Sequence, residues 1–352
     1  MSTTLVTGGA GFIGSHLVRL LLDRGERVRV LDRPGANAGH LPLDRIDFVP
    51  CDIRDAAAVR RAVAGCEVVY HLAANPQLWT HRRGHFRQVN YAGTVNVIDA
   101  ALAGGARRVL HTSTESILTR TRQTGPIAED QRVPLADVIG PYCRSKWHAE
   151  RFALRLGRAG APVVVVNPTL PVGPGDWGRS PPTQMLLDFC RGKRSAYLDA
   201  ELNLIDVRDV AAGMVRAAER GKPGRRYLLG AENWSIEKVF AWLADHTGLP
   251  RPRWRVPYPV ALAAAYVSEW VADVATRQIP AATVTGVKLT RRTMHFDPRR
   301  SLAELGLAPR PVAESLADAV AWFREVQWLG ERGRGTQRSW VAAPRAPPAV
   351  SD

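Results

Sequence analysis

Thr7-Gly8-Gly9-Ala10-Gly11-Phe12-Ile13-Gly14 follows the short apolar run Leu5-Val6 and leads into His16-Leu17-Val18-Arg19-Leu20-Leu21-Leu22, whose apolar positions recur at helical spacing. The order is strand, glycine turn, helix. Gly8 permits the tight turn, Gly11 lets the backbone approach a pyrophosphate, and Gly14 lets the helix pack closely on the strand. Free N–H groups at the helix start, those of Phe12 and Ile13 among them, then face an anion. A dinucleotide is the expected ligand, although glycines also cluster in ordinary turns and the triplet alone is a weak signal.

The second apolar run, Val28-Arg29-Val30-Leu31, ends at Asp32, at the distance where an acidic residue meets the adenosine ribose hydroxyls. Asp32 favours NAD. Arg33 beside it leaves NADP open, since an arginine there can accept a 2′-phosphate; the alternative for both residues is a surface Asp-Arg-Pro turn. Further on, Asp52 in Cys51-Asp52-Ile53-Arg54-Asp55 is placed to bond the adenine amine. The small side chains of Ala73 and Ala74, after the strand Glu67 to Leu72, leave room for the cofactor. His71 within that strand has a catalytic reading and a core reading, and an apolar strand favours the core.

At 352 residues the chain is long enough for a full core in one large domain or two interlocked ones. Hydrophobic residues at 45% and charged residues at 23% are those of a globular protein rather than a disordered or fibrous one. No apolar run reaches bilayer length, and Met1-Ser2-Thr3-Thr4 lacks signal-peptide character, so a cytoplasmic location is expected. Cys51, Cys66, Cys143 and Cys190 have neither zinc-ligand nor disulfide spacing; no metal is expected and the thiols should be reduced. The formal charge of +15 comes mostly from scattered arginine with no aromatic interleaving, which argues against nucleic acid and leaves weak peripheral contact with an anionic membrane surface.

Along the rest of the chain, Ala56 to Ala64 reads as a helix. Asn90 to Ala101 reads as another, whose interior Gly93 marks close packing. Strand Arg108-Val109-Leu110-His111 ends at the polar cluster Thr112-Ser113-Thr114-Glu115-Ser116, where open α/β sheets bind ligands. Tyr142 and Lys146 lie one turn apart on one helical face. Near a nicotinamide and the lysine ammonium the phenol should have a lowered pKa and exchange a proton with an alcohol or carbonyl. Val163 to Val166 reads as a buried parallel strand, followed by a Pro/Gly-rich passage after Asn167-Pro168-Thr169. Residues 260–275 read as a helix apolar over most of its circumference, for which burial is preferred over a greasy ligand or a membrane.

Glycine turn, acidic strand end, Leu72-Ala73-Ala74, Ser/Thr cluster and Tyr-x-x-x-Lys occur in the order and spacing of the extended short-chain dehydrogenase/reductase family, which the chain resembles from residue 3 to about 325. The resemblance implies a Rossmann-type doubly wound parallel sheet over 1–168 and 203–230, and a smaller substrate-binding subdomain over 169–202 and 231–330. The basic Pro/Ala-rich tail 331–352 reads as disordered. It implies Tyr142 as acid/base, Lys146 on the nicotinamide ribose and Thr114 on the substrate oxygen. It implies a cofactor surface that adds Ile53, Leu72, Asn90, Thr112, Asn167 and Pro168 to the residues above. Glu115, Asn167 and Thr169 are the further candidates for substrate. Family members often dimerise through the helices bearing Asn90 to Ala101 and Tyr142 to Phe152, so a homodimer acting on a small molecule is expected.

Within the family the motifs diverge. Asn167 matches the asparagine that holds the diphosphate in sugar epimerases, but Val164 replaces the arginine commonly three residues before it, and Glu115-Ser116 is not the Asp-Glu of the 4,6-dehydratases. Pro168-Thr169-Leu170-Pro171-Val172-Gly173-Pro174 looks like the dihydroflavonol reductase group. The segments 134–140 and 202–210 are similar to the hopanoid-associated sugar epimerases. The reading that follows is hydride transfer at a secondary alcohol or ketone carbon, by a sugar or hopanoid-linked sugar epimerase. The alternatives are a dihydroflavonol- or 3β-hydroxysteroid-type dehydrogenase or reductase, and a non-catalytic nucleotide-binding protein, which the retention of Thr114, Tyr142 and Lys146 disfavours.

Overall fold

Leu5 and Val6 point to opposite faces of one strand and both are fully buried, so β1 (Thr3–Thr7) is covered on both sides. In the computed structural model, which describes residues 3–329, the glycine turn connects it to α1 (Phe12–Asp23). There follow β2 (Arg27–Asp32), β3 (Asp47–Pro50), α2 (Ala56–Val63) and β4 (Cys66–His71). A short α3 (Gly84–Phe86) widens over 87–93 and runs into α4 (Thr94–Ala103). Next come β5 (Arg108–Thr112), α5 (Gly140–Arg158), β6 (Val163–Pro168), β7 (Leu170–Val172) and α6 (Pro181–Cys190). They are followed by β8 (Ala196–Tyr197), β9 (Glu201–Asp206), α7 (Val207–Arg220), β10 (Arg226–Leu229) and β11 (Glu232–Ser235). The described chain closes with α8 (Ile236–Thr247), β12 (Trp254–Arg255), α9 (Tyr258–Val271), α10 (Val284–Leu289), α11 (Arg299–Leu305) and α12 (Val312–Glu325).

The main sheet has the order β10-β6-β5-β4-β1-β2-β3, all pairs parallel. Alternation explains its unbroken apolar runs. Val164 and Val166 join Val6 and Val30 against α1 and α7, while Val163 and Val165 join Leu5 and Val69 against α2, α4 and α5. The strand order reverses at β1, with β4 on one side and β2 on the other, so a crevice opens at their carboxyl ends. This is the predicted doubly wound sheet. Gly93 is buried where the sequence indicated close packing: a Cβ there would lie 2.5 Å from Ile53 Cδ1.

A second sheet, β11-β9-β7, forms the smaller lobe, with β7 parallel and β11 antiparallel to β9. Val172, Leu204 and Trp234 of this sheet pack with Phe189, Phe240 and Phe323 from α6, α8 and α12. The expected boundary at 203 therefore shifts: residues 201–206 belong to this lobe, and the chain rejoins the main sheet only with α7 and β10. Burial of the apolar helix after 258 is also overturned. In α9 only Ala265 is buried, and Val260, Val267 and Trp270 are 57%, 61% and 64% exposed. An inward stripe of alanine and leucine suffices to seat the helix, leaving its larger residues outside. The expected tail 331–352 lies outside the described residues.

Candidate functional site

Backbone proximity, not composition alone, requires the glycines of the first turn. Gly8 has φ +72°, and a Cβ on it would lie 2.8 Å from Ala73 N; one on Gly14 would lie 2.2 Å from Gly8 O. Gly11 is the exposed N-cap of α1 and offers no side chain to the first-turn N–H groups, Phe12 and Ile13 included. They remain available to an anion. Asp32 sits at the end of β2 beside this turn, where its carboxylate accepts from the N–H groups of Ala10 at 2.9 Å and Arg33 at 2.8 Å. Its remaining lone pairs suit two ribose hydroxyls.

Leu72, Ala73 and Ala74, partly exposed, leave β4 across the turn, and Ala73 N–H donates to Thr7 Oγ1. His71 is the satisfied core histidine, bonded to Thr7 and Thr94, with burial holding its pKa down to about 3. Beyond it lies His111, whose ring nitrogens have no protein partner. The hydroxyls of Thr112, Ser113 and Thr169 are likewise buried and unpartnered at the carboxyl ends of β5 and β6. Glycine cradle, open helix start, acidic strand end and orphaned hydroxyls together fit a dinucleotide.

Other expected cofactor residues also make contacts within the scaffold. Asn90 is fully buried; its amide accepts from Asn75 N–H at 2.7 Å and donates to Asn75 O and to Ser145 Oγ at 3.0 Å. It ties the loop after β4 to α5. Ile53 is a core residue 5% exposed, and Pro168 is buried in β6. Arg54 pairs with the Asp52 carboxylate at 2.5 Å and holds it below the usual carboxylate range, in competition with an adenine amine. Asn167 is 0% exposed, and its Nδ2 donates to Thr114 O at 2.9 Å and Glu150 Oε2 at 2.7 Å. Asn167 thus fixes the carboxyl end of β5 through its Nδ2, while its Oδ1 is buried without a protein partner, like the neighbouring hydroxyls.

The reactive cluster assembles where β5 meets α5. Thr114 Oγ1 donates to Glu115 Oε2 at 2.8 Å and lies 3.0 Å from Ser116 Oγ. Gly140, with φ +71°, starts α5 and brings Tyr142 to this cluster, where Phe86 meets its ring edge-on and the Thr114 hydroxyl neighbours its phenol. Lys146, one turn later and 4% exposed, donates from Nζ to Thr112 O at 2.7 Å. Burial lowers its pKa to about 8, which the Glu150 carboxylate partly opposes. Burial likewise raises the Glu115 carboxyl, against hydrogen bonds from Thr114 and the backbone.

Without a nicotinamide beside it, the Tyr142 pKa lies above its ordinary value. Removal of its phenol from water raises it, with the neighbouring Cys143 and Glu115 acting in the same direction and Thr114 against. Lys146 is directed at Thr112 and does not offset this. Sequence reading also passed over Glu150, which is 1% exposed, pairs with Arg226 and receives Asn167. Its signal was present: Lys146 and Glu150 are one turn apart, so a lysine beneath a cleft had its counter-charge on the same helix.

Residues 4–230, the segment carrying the glycine turn, the polar cluster and the Tyr-x-x-x-Lys helix, match the NAD dependent epimerase/dehydratase family. The chain is similar to a protein of Synechocystis sp. named "Putative dihydroflavonol 4-reductase", 38% identical, with 91% of this chain and 94% of that one covered. It is also similar to "Sterol demethylase protein B" of Methylococcus capsulatus, 34% identical, with 92% and 98% covered. The crystal structure of gox2253 superposes with a TM-score of 0.82 at 34% identity, over 94% of this chain and 100% of that one. With well over half of its length matched by the family model, this chain belongs to the NAD dependent epimerase/dehydratase family.

Proposed function

We propose that the protein is an NAD(H)-dependent oxidoreductase that acts in the cytoplasm on a secondary alcohol or ketone carbon of a hydrophobic substrate. The observation that carries this reading is the Thr114–Glu115–Tyr142 cluster at the strand ends beyond the glycine turn. A nicotinamide held there supplies the hydride donor or acceptor. Asp32 beside the turn favours ribose hydroxyls over a 2′-phosphate, hence NAD over NADP. Tyr142, a phenol protonated at neutral pH, donates to a carbonyl oxygen that the Thr114 hydroxyl orients. Lys146 supplies positive charge beneath the cofactor ribose. The names of the reductase and sterol relatives support a hydrophobic substrate.

Glu115 keeps a second reading in view: a carboxyl held up by burial beside Thr114 suits a sugar hydroxyl, and a sugar or hopanoid-linked sugar epimerase would use the same three residues while returning hydride to the opposite face. The resemblance also supports a homodimer through α4 and α5, and the net charge a weak attraction to anionic membranes. Denaturing freshly purified protein and identifying the released nucleotide separates the two chemistries. An empty protein that takes up NADH and consumes it with polycyclic ketones supports the reductase reading. Near-stoichiometric NAD with no net turnover of such ketones overturns it in favour of the epimerase.

A further inference from the structure

We propose that the outward face of α9 docks the protein on an anionic lipid bilayer. Val260, Ala263, Ala264, Val267, Trp270, Val271 and Val274 recur at helical spacing along α9 and the wider turn that continues it to Thr276, and every one of them is exposed. This is an inverted surface helix. Both its acids are directed at the protein: Glu269 Oε1 accepts from Val284 N–H at 2.7 Å, and Asp273 pairs with Arg83. What faces outward is valine and tryptophan, with Trp254, four residues before the helix, 72% exposed. A contiguous apolar stripe of this kind marks an interaction surface.

Charge selects the partner. The segment 251–292 carries seven basic residues against two acids, in a chain of net charge +15. Arg251 and Arg255 have acidic partners, but cations also border the apolar stripe itself: Arg291 lies 4.5 Å over the ring of Tyr258, Lys288 lies 5.8 Å over that of Tyr266, and exposed Arg277 follows the C-terminal end. Apolar residues in the centre with tryptophan and cations at the border are the composition of a helix lying in the plane of a bilayer, its stem in the acyl boundary and its cations among acidic headgroups. At 14 residues α9 is too short to span one. A second copy on this face would bring two basic surfaces together, at an electrostatic cost that anionic lipid reverses.

The face also lies close to the chemistry. Glu269 of α9 holds the start of α10, and Thr285 of α10 abuts Gly140, two residues before Tyr142; a Cβ on Gly140 would lie 2.4 Å from Thr285 Oγ1. Docking through α9 sets the cleft at the lipid surface, where a hydrophobic substrate is concentrated; only this consequence rests on the function proposed above.

The test is co-flotation of the full chain with vesicles of phosphatidylcholine alone or with about a third phosphatidylglycerol. The wild type should float with the anionic vesicles and bind the neutral ones about tenfold less. The double variant Val267→Ser with Trp270→Ser changes no charge and should lose about tenfold in bound fraction, with unchanged melting temperature and nucleotide uptake. Because both substitutions leave every basic residue in place, equal flotation of variant and wild type would assign attachment elsewhere and overturn the proposal. So would a wild type that fails to float, or a dimer that the double variant dissociates while neither protein floats. Failure of the substrate reading looks different: docking persists and no ketone supplied in the vesicles is consumed.

Discussion

Tyr142 and Lys146 owe their properties to burial in opposite ways. The phenol stays protonated, so reduction finds its acid ready, and Tyr142→Phe should lower kcat by about two to four orders of magnitude without loss of bound nucleotide, read by single-turnover kinetics. For Lys146 the folded pKa of about 8 lies below the unfolded 10.5, so between these values the unfolded chain holds the extra proton and stability rises with pH. Urea unfolding at pH 8 and pH 10 should show that rise relative to Lys146→Met, in which it disappears. Asn90→Ala leaves Asn75 N–H and Ser145 without their buried partner and should cost about 2 kcal/mol in the same measurement. The resemblance pointed to Asn90 and Asn167 as ligands, but their bracing contacts were not legible, because an asparagine near a cleft looks the same in sequence whether its amide faces in or out. Only the neighbours that surround it in three dimensions decide.

Among elements, the turn into α1 was fully legible because steric demand is local. Gly14→Ala would place its Cβ 2.2 Å from Gly8 O, so NAD affinity, measured by calorimetry, should fall by about tenfold or more even if the protein folds. Strands β1 to β6 and the helices between them were legible for a related reason: alternating burial on a two-sided sheet leaves unbroken β-branched runs such as Val163 to Val166. The sheet to which β9 belongs was not. Its residues Leu202 to Ile205 would suit a strand of either sheet, and the choice between the main and small sheets is made by its pairing with β7 and β11. Nor did α9 declare its outward face, since a helix apolar on all sides gives no period to orient it.

At the scale of the whole molecule, the two lobes are tied together at the start of α1. His16 of α1 bonds Pro174 O at 2.9 Å, so the passage after β7 closes against the very helix whose N-terminus opens to the dinucleotide. Lattice-like fixation of this kind also comes from the path of the chain itself. It leaves the main sheet between Pro168 and Leu170, returns at Asp206–Val207, leaves again between Leu229 and Glu232, and revisits α7 and β10 with α11 before ending on the small lobe in α12. No single junction therefore separates the lobe of the main sheet from the lobe of the small one. Transplanting specificity from a relative by joining two gene fragments would cut through both lobes at once. A working chimaera has to exchange 169–206 and the segments after 230 together, and the α11 that comes with them has to fit α7 and β10 of the recipient.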